Sequence, residues 1–130
     1  MSSRLARESR RAAAAALAAL LAAAGTARAD GDAAHGEKLF EECAACHATN
    51  GENKVGPSLH GLFQRRAGEV ADFRYSPAIK RSGITWTPQT LDAFIADPQK
   101  AVPANRMPYA GMPDAGSRAD LIAYLQKATQ

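Results

Sequence analysis

Cys43 and Cys46 are the two cysteines of this 130-residue chain, and His47 follows the second directly in the stretch ECAACH. On a helical turn, positions i, i+3 and i+4 share a face, so this spacing aims both sulfurs and the imidazole the same way. Cys-x-x-Cys-His is an attachment signature for c-type haem. The geometry explains why. Each sulfur can form a thioether with a vinyl-derived carbon on one porphyrin edge, and the His47 ring can swing under the iron as the proximal ligand. Three other chemistries compete. A thioredoxin-like dithiol wants a strand leading into the motif and a βαβ context, and neither is visible. A zinc site needs a fourth N or S ligand, for which only His35 and His60 remain. A disulfide between residues this close closes a ring too small to stabilise much. Haem attachment is therefore expected.

A second axial ligand would decide what such an iron does. Met107, Met112, His35 and His60 are the side chains available for it beyond residue 30. A buried methionine is more often core filler than ligand. Both of these methionines, however, fall in PANRMPYAGMP (103–113), a segment stiffened by three prolines where a side chain can be aimed at a cofactor.

The elements that must position these groups can be read outward from the motif. Residues 1–29 combine a basic start, an apolar run from Ala12 to Ala24 and the small-x-small sequence Ala27-Arg28-Ala29. That is the pattern of a secretory signal peptide cleaved near Ala29. The run is short of the ~20 apolar residues a membrane span requires. Residues 30–130 then form a single domain. Five of the sixteen basic residues and one of the thirteen acidic ones lie in the leader, leaving eleven against twelve. The excess base that would suggest nucleic-acid binding thus leaves with the leader.

Asp32 is a plausible N-cap for a helix carrying Gly36, Leu39, Phe40 and Cys43 at helical spacing. Residues 48–76 are rich in turn signals. Ser76-Pro77 opens a short helix ending near Gly83. Thr87-Pro88 opens another, with Leu91, Phe94 and Ile95, which stops by Asp97-Pro98. Residues 103–113 cannot be regular. Ser117 is expected to cap a last helix bearing Leu121, Ile122, Tyr124 and Leu125. The fold class is all-α: three main helices, short helices and long loops, with no sheet.

From Gly36 to the C-terminus the chain resembles a mitochondrial-type class I cytochrome c, of the cytochrome c2 type found in bacterial soluble carriers. The matching segments are GEKLF (36–40), CAACH (43–47), VGPSLHGLF (55–63), FRYSPA (73–78), GITW (83–86), MPYAG (107–111) and RADLIAYL (118–125). The resemblance implies a small cytochrome c fold wrapped around one haem c, attached through Cys43 and Cys46, with His47 proximal and Met107 distal. It implies that the Pro57 carbonyl accepts from the proximal imidazole, a contact that raises ligand basicity. Arg65, Tyr75 and Trp86 fall where the family satisfies the haem propionates, with the neighbouring Arg66 an alternative to Arg65. Gly36 and Tyr124 match a close crossing of first and last helices, and Asn105 stands where a hydroxyl side chain supports the methionine loop. Phe40 and Phe94 are expected to contact the haem, His60 to be a surface or backbone-bonded histidine, and His35 to be solvated. Two positions depart from the family: Ile79 replaces an asparagine, and Phe94 a tyrosine. Both changes predict a drier distal side, a firm Met–iron bond and a fairly high reduction potential.

The function this resemblance implies is a monomeric soluble periplasmic one-electron carrier rather than an enzyme. It would run from a quinol–cytochrome c oxidoreductase to a terminal oxidase or photosynthetic reaction centre, docking transiently without membrane insertion. The alternatives are a dedicated acceptor for a periplasmic dehydrogenase, or a haem peroxidase or gas-binding protein if Met107 does not ligate. Lys54, Lys100 and Arg106 match docking lysines of the family, while Gln99, Pro113 and Asp114 occupy places often lysine. The thin basic ring predicts weakly salt-dependent association resting on apolar contact around Tyr109, Ala110 and Gly111.

Overall fold

The computed structural model describes residues 30–130, so the expected leader, 1–29, lies outside the described residues. Helix α1 (Ala33–Leu39) starts at the Asp32 cap, whose carboxylate accepts from the N–H groups of Ala34 at 2.9 Å and His35 at 3.2 Å. This satisfies donors that no preceding turn can reach. Phe40 keeps helical angles, and α2 (Glu41–Ala44) carries the chain to the first cysteine. The carbonyl of Cys43 then accepts from the N–H of Cys46 at 3.0 Å and of His47 at 2.8 Å. The turn needed to bring the three side chains together is thus closed by backbone hydrogen bonds.

Helix α3 (Pro77–Arg81) is capped by Ser76, and α4 (Pro88–Ala96) by a reciprocal Thr87–Thr90 capping box. Both begin with the proline anticipated at the first helical position. At Asp97-Pro98 the chain does more than stop. Asp97 caps a further short helix, α5 (Pro98–Ala101), because proline ends one helix and pre-sets φ for the next. The last helix, α6 (Ala115–Ala128), corrects the expected cap. Asp114, not Ser117, is the N-cap, accepting from the N–H of Ser117 at 2.7 Å. A carboxylate one turn upstream reaches that donor, so the helix gains its first residues at Ala115 and Gly116. Among the described residues there is no named strand, only an isolated antiparallel bridge between Arg66 and Thr85. No helix among them is long and apolar enough to cross a membrane. The fold is all-α.

Helices α1 and α6 cross where Gly36 is buried. A Cβ at that position would collide with the carbonyl of Asp120 and the Cβ of Tyr124, so glycine is what permits the approach. The ring of Phe40 packs on Tyr124 with centroids 5.4 Å apart. Asp120 fastens the crossing from the other side, accepting from the Asp32 N–H at 2.6 Å and meeting His35 Nδ1 at 2.7 Å. His35 is accordingly half exposed but tied to a carboxylate, not simply solvated. Leu91, Phe94 and Ile95 from α4 meet Leu121, Ile122 and Leu125 from α6 in a core that also takes Phe40, Leu62 and Trp86. These helices form a frame, and the irregular segments 48–76 and 103–113 close over it.

Candidate functional site

Frame and loops enclose a cavity of about 420 Å³ lined by Cys43, Cys46, His47, Pro57, Arg65, Tyr75, Trp86 and Met107. Eight side chains scattered over more than sixty positions of sequence thus meet at one place. Its apolar wall includes Leu59, Leu62, Ile79, Leu91, Phe94, Ile95, Leu121 and Leu125. His35, His60, Arg66 and Met112 are not part of the lining.

On one side, His47 Nδ1 lies 2.7 Å from the carbonyl oxygen of Pro57. A carbonyl only accepts, so Nδ1 carries the proton and Nε2 keeps its lone pair. Burial holds the imidazole below its ordinary pKa, against the opposing effect of the Pro57 bond, and the neighbouring Lys54 acts in the same direction as burial. A neutral ring with Nε2 free is the form that ligates a metal. Gly56 makes this placement possible. A Cβ there would stand 2.5 Å from His47 Cε1 and 2.8 Å from Nδ1, so any side chain would push the ring off its carbonyl. Asn53 anchors the same loop, donating to the carbonyl of Ala71 at 2.9 Å and accepting from the Ser58 N–H at 2.9 Å.

The Cys43 thiol behaves unlike those of a redox dithiol. Burial, the Glu42 carboxylate and Cys46 together push the Cys43 thiol up to about 11. Reactive CxxC pairs instead have depressed values, set by helix N-termini or nearby cations. Cys43 sits near the carbonyl end of α2, where the helix dipole disfavours a thiolate. Among the described residues no three His, Cys, Asp or Glu side chains gather as a metal cluster.

The segment carrying Met107, which lines the same cavity, is held mainly by one side chain. Asn105 is buried and uses every part of its amide. Nδ2 donates to the carbonyls of Pro98 at 2.8 Å and Val102 at 2.9 Å, and Oδ1 accepts from the Met107 N–H at 2.8 Å. Arg106 ties the segment across to the carbonyl of Tyr75 at 2.9 Å. At its far end, Arg118 pairs with Asp92 at 2.7 Å while donating to the carbonyls of Met112 at 3.0 Å and Pro113 at 2.8 Å. Met107 is half-buried at the cavity. Met112 is 7% exposed within the core, its N–H on the carbonyl of Ile95 at 2.7 Å.

The polar end of the cavity is built around Arg65. Its two terminal nitrogens donate to the carbonyls of His60 and Ser58, while its buried Nε has no partner. An orphaned buried cationic donor is costly, and a carboxylate in the cavity would complete it. Arg66 instead points out and pairs with Glu69 at 3.5 Å. Tyr75 lines the cavity close to Arg65, its hydroxyl pushed above the ordinary value by burial, and accepts from the Val70 N–H at 3.3 Å. Trp86 is buried against Phe94, ring centroids 5.1 Å apart. An apolar slot, two thiols, a free imidazole nitrogen, a thioether and an unpaired cationic donor, all lining one cavity, fit a haem with its propionates.

Sequence reasoning passed over Gly56 as a steric partner of His47, and over the Asn53 and Arg118 anchors. Gly56 was legible only as a turn signal. The other two join segments far apart in sequence, and nothing local marks them. His60 lies exposed, with its N–H on Ser58 Oγ at 3.1 Å.

The profile of the cytochrome c family matches residues 33–129. The chain is 44% identical to the cytochrome c2 of Blastochloris viridis over 109 residues, covering 82% of this chain and 86% of that one. It is 48% identical to the cytochrome c2 of Rhodopila globiformis over 98 residues, 74% and 92% of the two chains. Among solved structures, cytochrome cH from Methylobacterium extorquens superposes with a TM-score of 0.72 at 44% identity, over 75% of this chain and 99% of that one.

Proposed function

Since this chain belongs to the cytochrome c family, with haem c held covalently through Cys43 and Cys46, we propose that it is a periplasmic one-electron carrier with His47 and Met107 as the axial ligands. The observation that carries this reading is that His47 and Met107 line the same apolar cavity as both cysteines, while Met112, His35 and His60 do not. The haem supplies a one-electron iron couple when bound. His47 offers Nε2 because Pro57 occupies Nδ1, and Met107 is held by Asn105. With His47 and Met107 holding the iron, no position on it would remain for a substrate. The same two side chains would hold the iron in either oxidation state, which would keep rearrangement small during transfer. Methionine with histidine raises the potential. Ile79 and Phe94, both buried in the cavity wall, keep it apolar, which would disfavour the more highly charged ferric state. Arg65, Tyr75 and Trp86 receive the propionates.

Residues 1–29 direct export and are removed near Ala29. Donor and acceptor are a quinol–cytochrome c oxidoreductase and a terminal oxidase or reaction centre, met transiently at the open edge of the cavity. Tyr109 provides apolar contact there, and association is weakly salt-dependent. Optical spectra of the ferric holoprotein test the ligands. The weak far-red charge-transfer band of a methionine-ligated haem is expected in the wild type and in Met112→Leu, and is expected to vanish in Met107→Ala. A wild-type spectrum without that band refutes the assignment.

A further inference from the structure

We propose that the cavity rim is a docking surface of two signs, fitted to a redox partner that sets a cation against one stretch and carboxylates against another. This rests on the electron-carrier reading above. Glu42 is exposed on α2 and lines the cavity, and the Tyr109 hydroxyl donates to its Oε2 at 3.4 Å. An acid thus marks the rim beside the methionine segment. Arg74 and Arg106, also exposed, line the same cavity at Tyr75: Arg106 donates to the Tyr75 carbonyl and Arg74 precedes Tyr75 in the chain. Among the described residues, no ion pair neutralises Glu42, Arg74 or Arg106. Val55 belongs to the same rim, and its 75% exposure is far above that of the core side chains, giving the patch an apolar element.

Residues 30–130 carry eleven basic against twelve acidic side chains, so no large net charge masks this local pattern. A uniformly acidic partner would bring a carboxylate onto Glu42, and a uniformly basic one would bring cations onto two guanidinium groups. Juxtaposed like charges reject wrong partners and fix orientation. A partner carrying both signs meets both stretches and locks its rotation over the haem edge. Because the net charge is near zero, long-range steering is weak, and the salt dependence that remains comes from these few paired contacts.

The test is reduction of the ferric holoprotein by the quinol-oxidising complex purified from the same membranes, comparing wild type, Glu42→Gln and Arg74→Gln. At low ionic strength each variant is expected to react about threefold more slowly, the effect of one unit charge facing another at ~6 Å in water. Both differences should vanish near 1 M salt, where the screening length is about 3 Å. A faster Glu42→Gln overturns the proposal in favour of an acidic partner, and a faster Arg74→Gln in favour of a basic one. Unchanged rates in both variants also overturn it. Oxidation of the ferrous wild type by hexacyanoferrate(III), in which one electron leaves the protein and yields hexacyanoferrate(II), runs in parallel. If that transfer fails, the carrier reading falls and takes the docking surface with it. If it succeeds while the variants react like wild type, the docking surface alone falls.

Discussion

Asn105→Ala tests how the methionine segment is held. The substitution removes three hydrogen bonds from a residue only 7% exposed. Two of the losses are partial. The Pro98 carbonyl keeps the Val102 N–H at 3.0 Å, and the Val102 carbonyl keeps the N–H of residue 105 at 3.2 Å. The Met107 N–H, by contrast, loses the Asn105 oxygen that holds it. An unsatisfied donor costs about 1–3 kcal/mol and each weakened carbonyl about 0.5 kcal/mol. Because Met107 is half-buried, water recovers part of this, and about 2 kcal/mol remains against the closed segment. That is roughly thirtyfold in the equilibrium between methionine held and methionine displaced. Imidazole competes with a methionine sulfur for ferric iron, so titrating it while following the far-red band reads this equilibrium directly. The expected result is an apparent imidazole affinity raised roughly thirtyfold. Asn53→Ala is the control, since it breaks two comparable bonds on the histidine side and should move the affinity by no more than about threefold. Equal shifts in the two variants, or none in Asn105→Ala, refute the claim that this amide governs how Met107, the proposed ligand, is held.

Gly56→Ala should leave the helical content intact, because Gly56 lies outside every helix, yet displace the imidazole from Pro57. A lowered midpoint potential with unchanged far-ultraviolet dichroism is the expected signature. Arg65→Met removes a cation from the polar end of the cavity, where the propionates are proposed to lie, while keeping an unbranched side chain. At ~10 Å and an effective dielectric of about 30 that charge contributes about 1 kcal/mol against ferric iron, so a redox titration should show a fall of about 40 mV. A rise would mean that the guanidinium does not face the haem. Asp120 is held below its ordinary value of 3.8 by the His35 side chain and the Asp32 N–H. Its folded-state pKa is depressed, so its contribution is present above 3.8 and is lost as pH falls through the lower folded value. Asp120→Asn should therefore be less stable than wild type at neutral pH. Denaturant midpoints of the two should converge in strong acid, and a gap that persists there contradicts the assignment.

Much of the site was legible in advance because its chemistry is short-range. The CxxCH spacing sits within one turn, and the caps at Asp32, Ser76 and Thr87 stand within four residues of the donors they satisfy. The misplaced cap at Ser117 shows where this kind of reading weakens. Asp114 and Ser117 are both competent caps one turn apart, and the preference depends on how the chain leaves Pro113. The extra helix α5 was hidden for a related reason, since Asp97-Pro98 signals both an end and a beginning.

The sequence by itself determined the attachment of a haem, the order of helices and the near-neutral charge of residues 30–130, because each rests on residues that are neighbours along the chain or on composition alone. Which methionine and which arginine turn toward the cavity was decided by tertiary structure. Met107 and Met112 are chemically alike within one loop, as Arg65 and Arg66 are side by side. What separates them is the grip of Asn105, the core position of Met112 and the backbone path past Gln64, which takes a positive φ of 70° just before Arg65. Those are contacts between distant segments, and they exist only once the loops have closed over the helices.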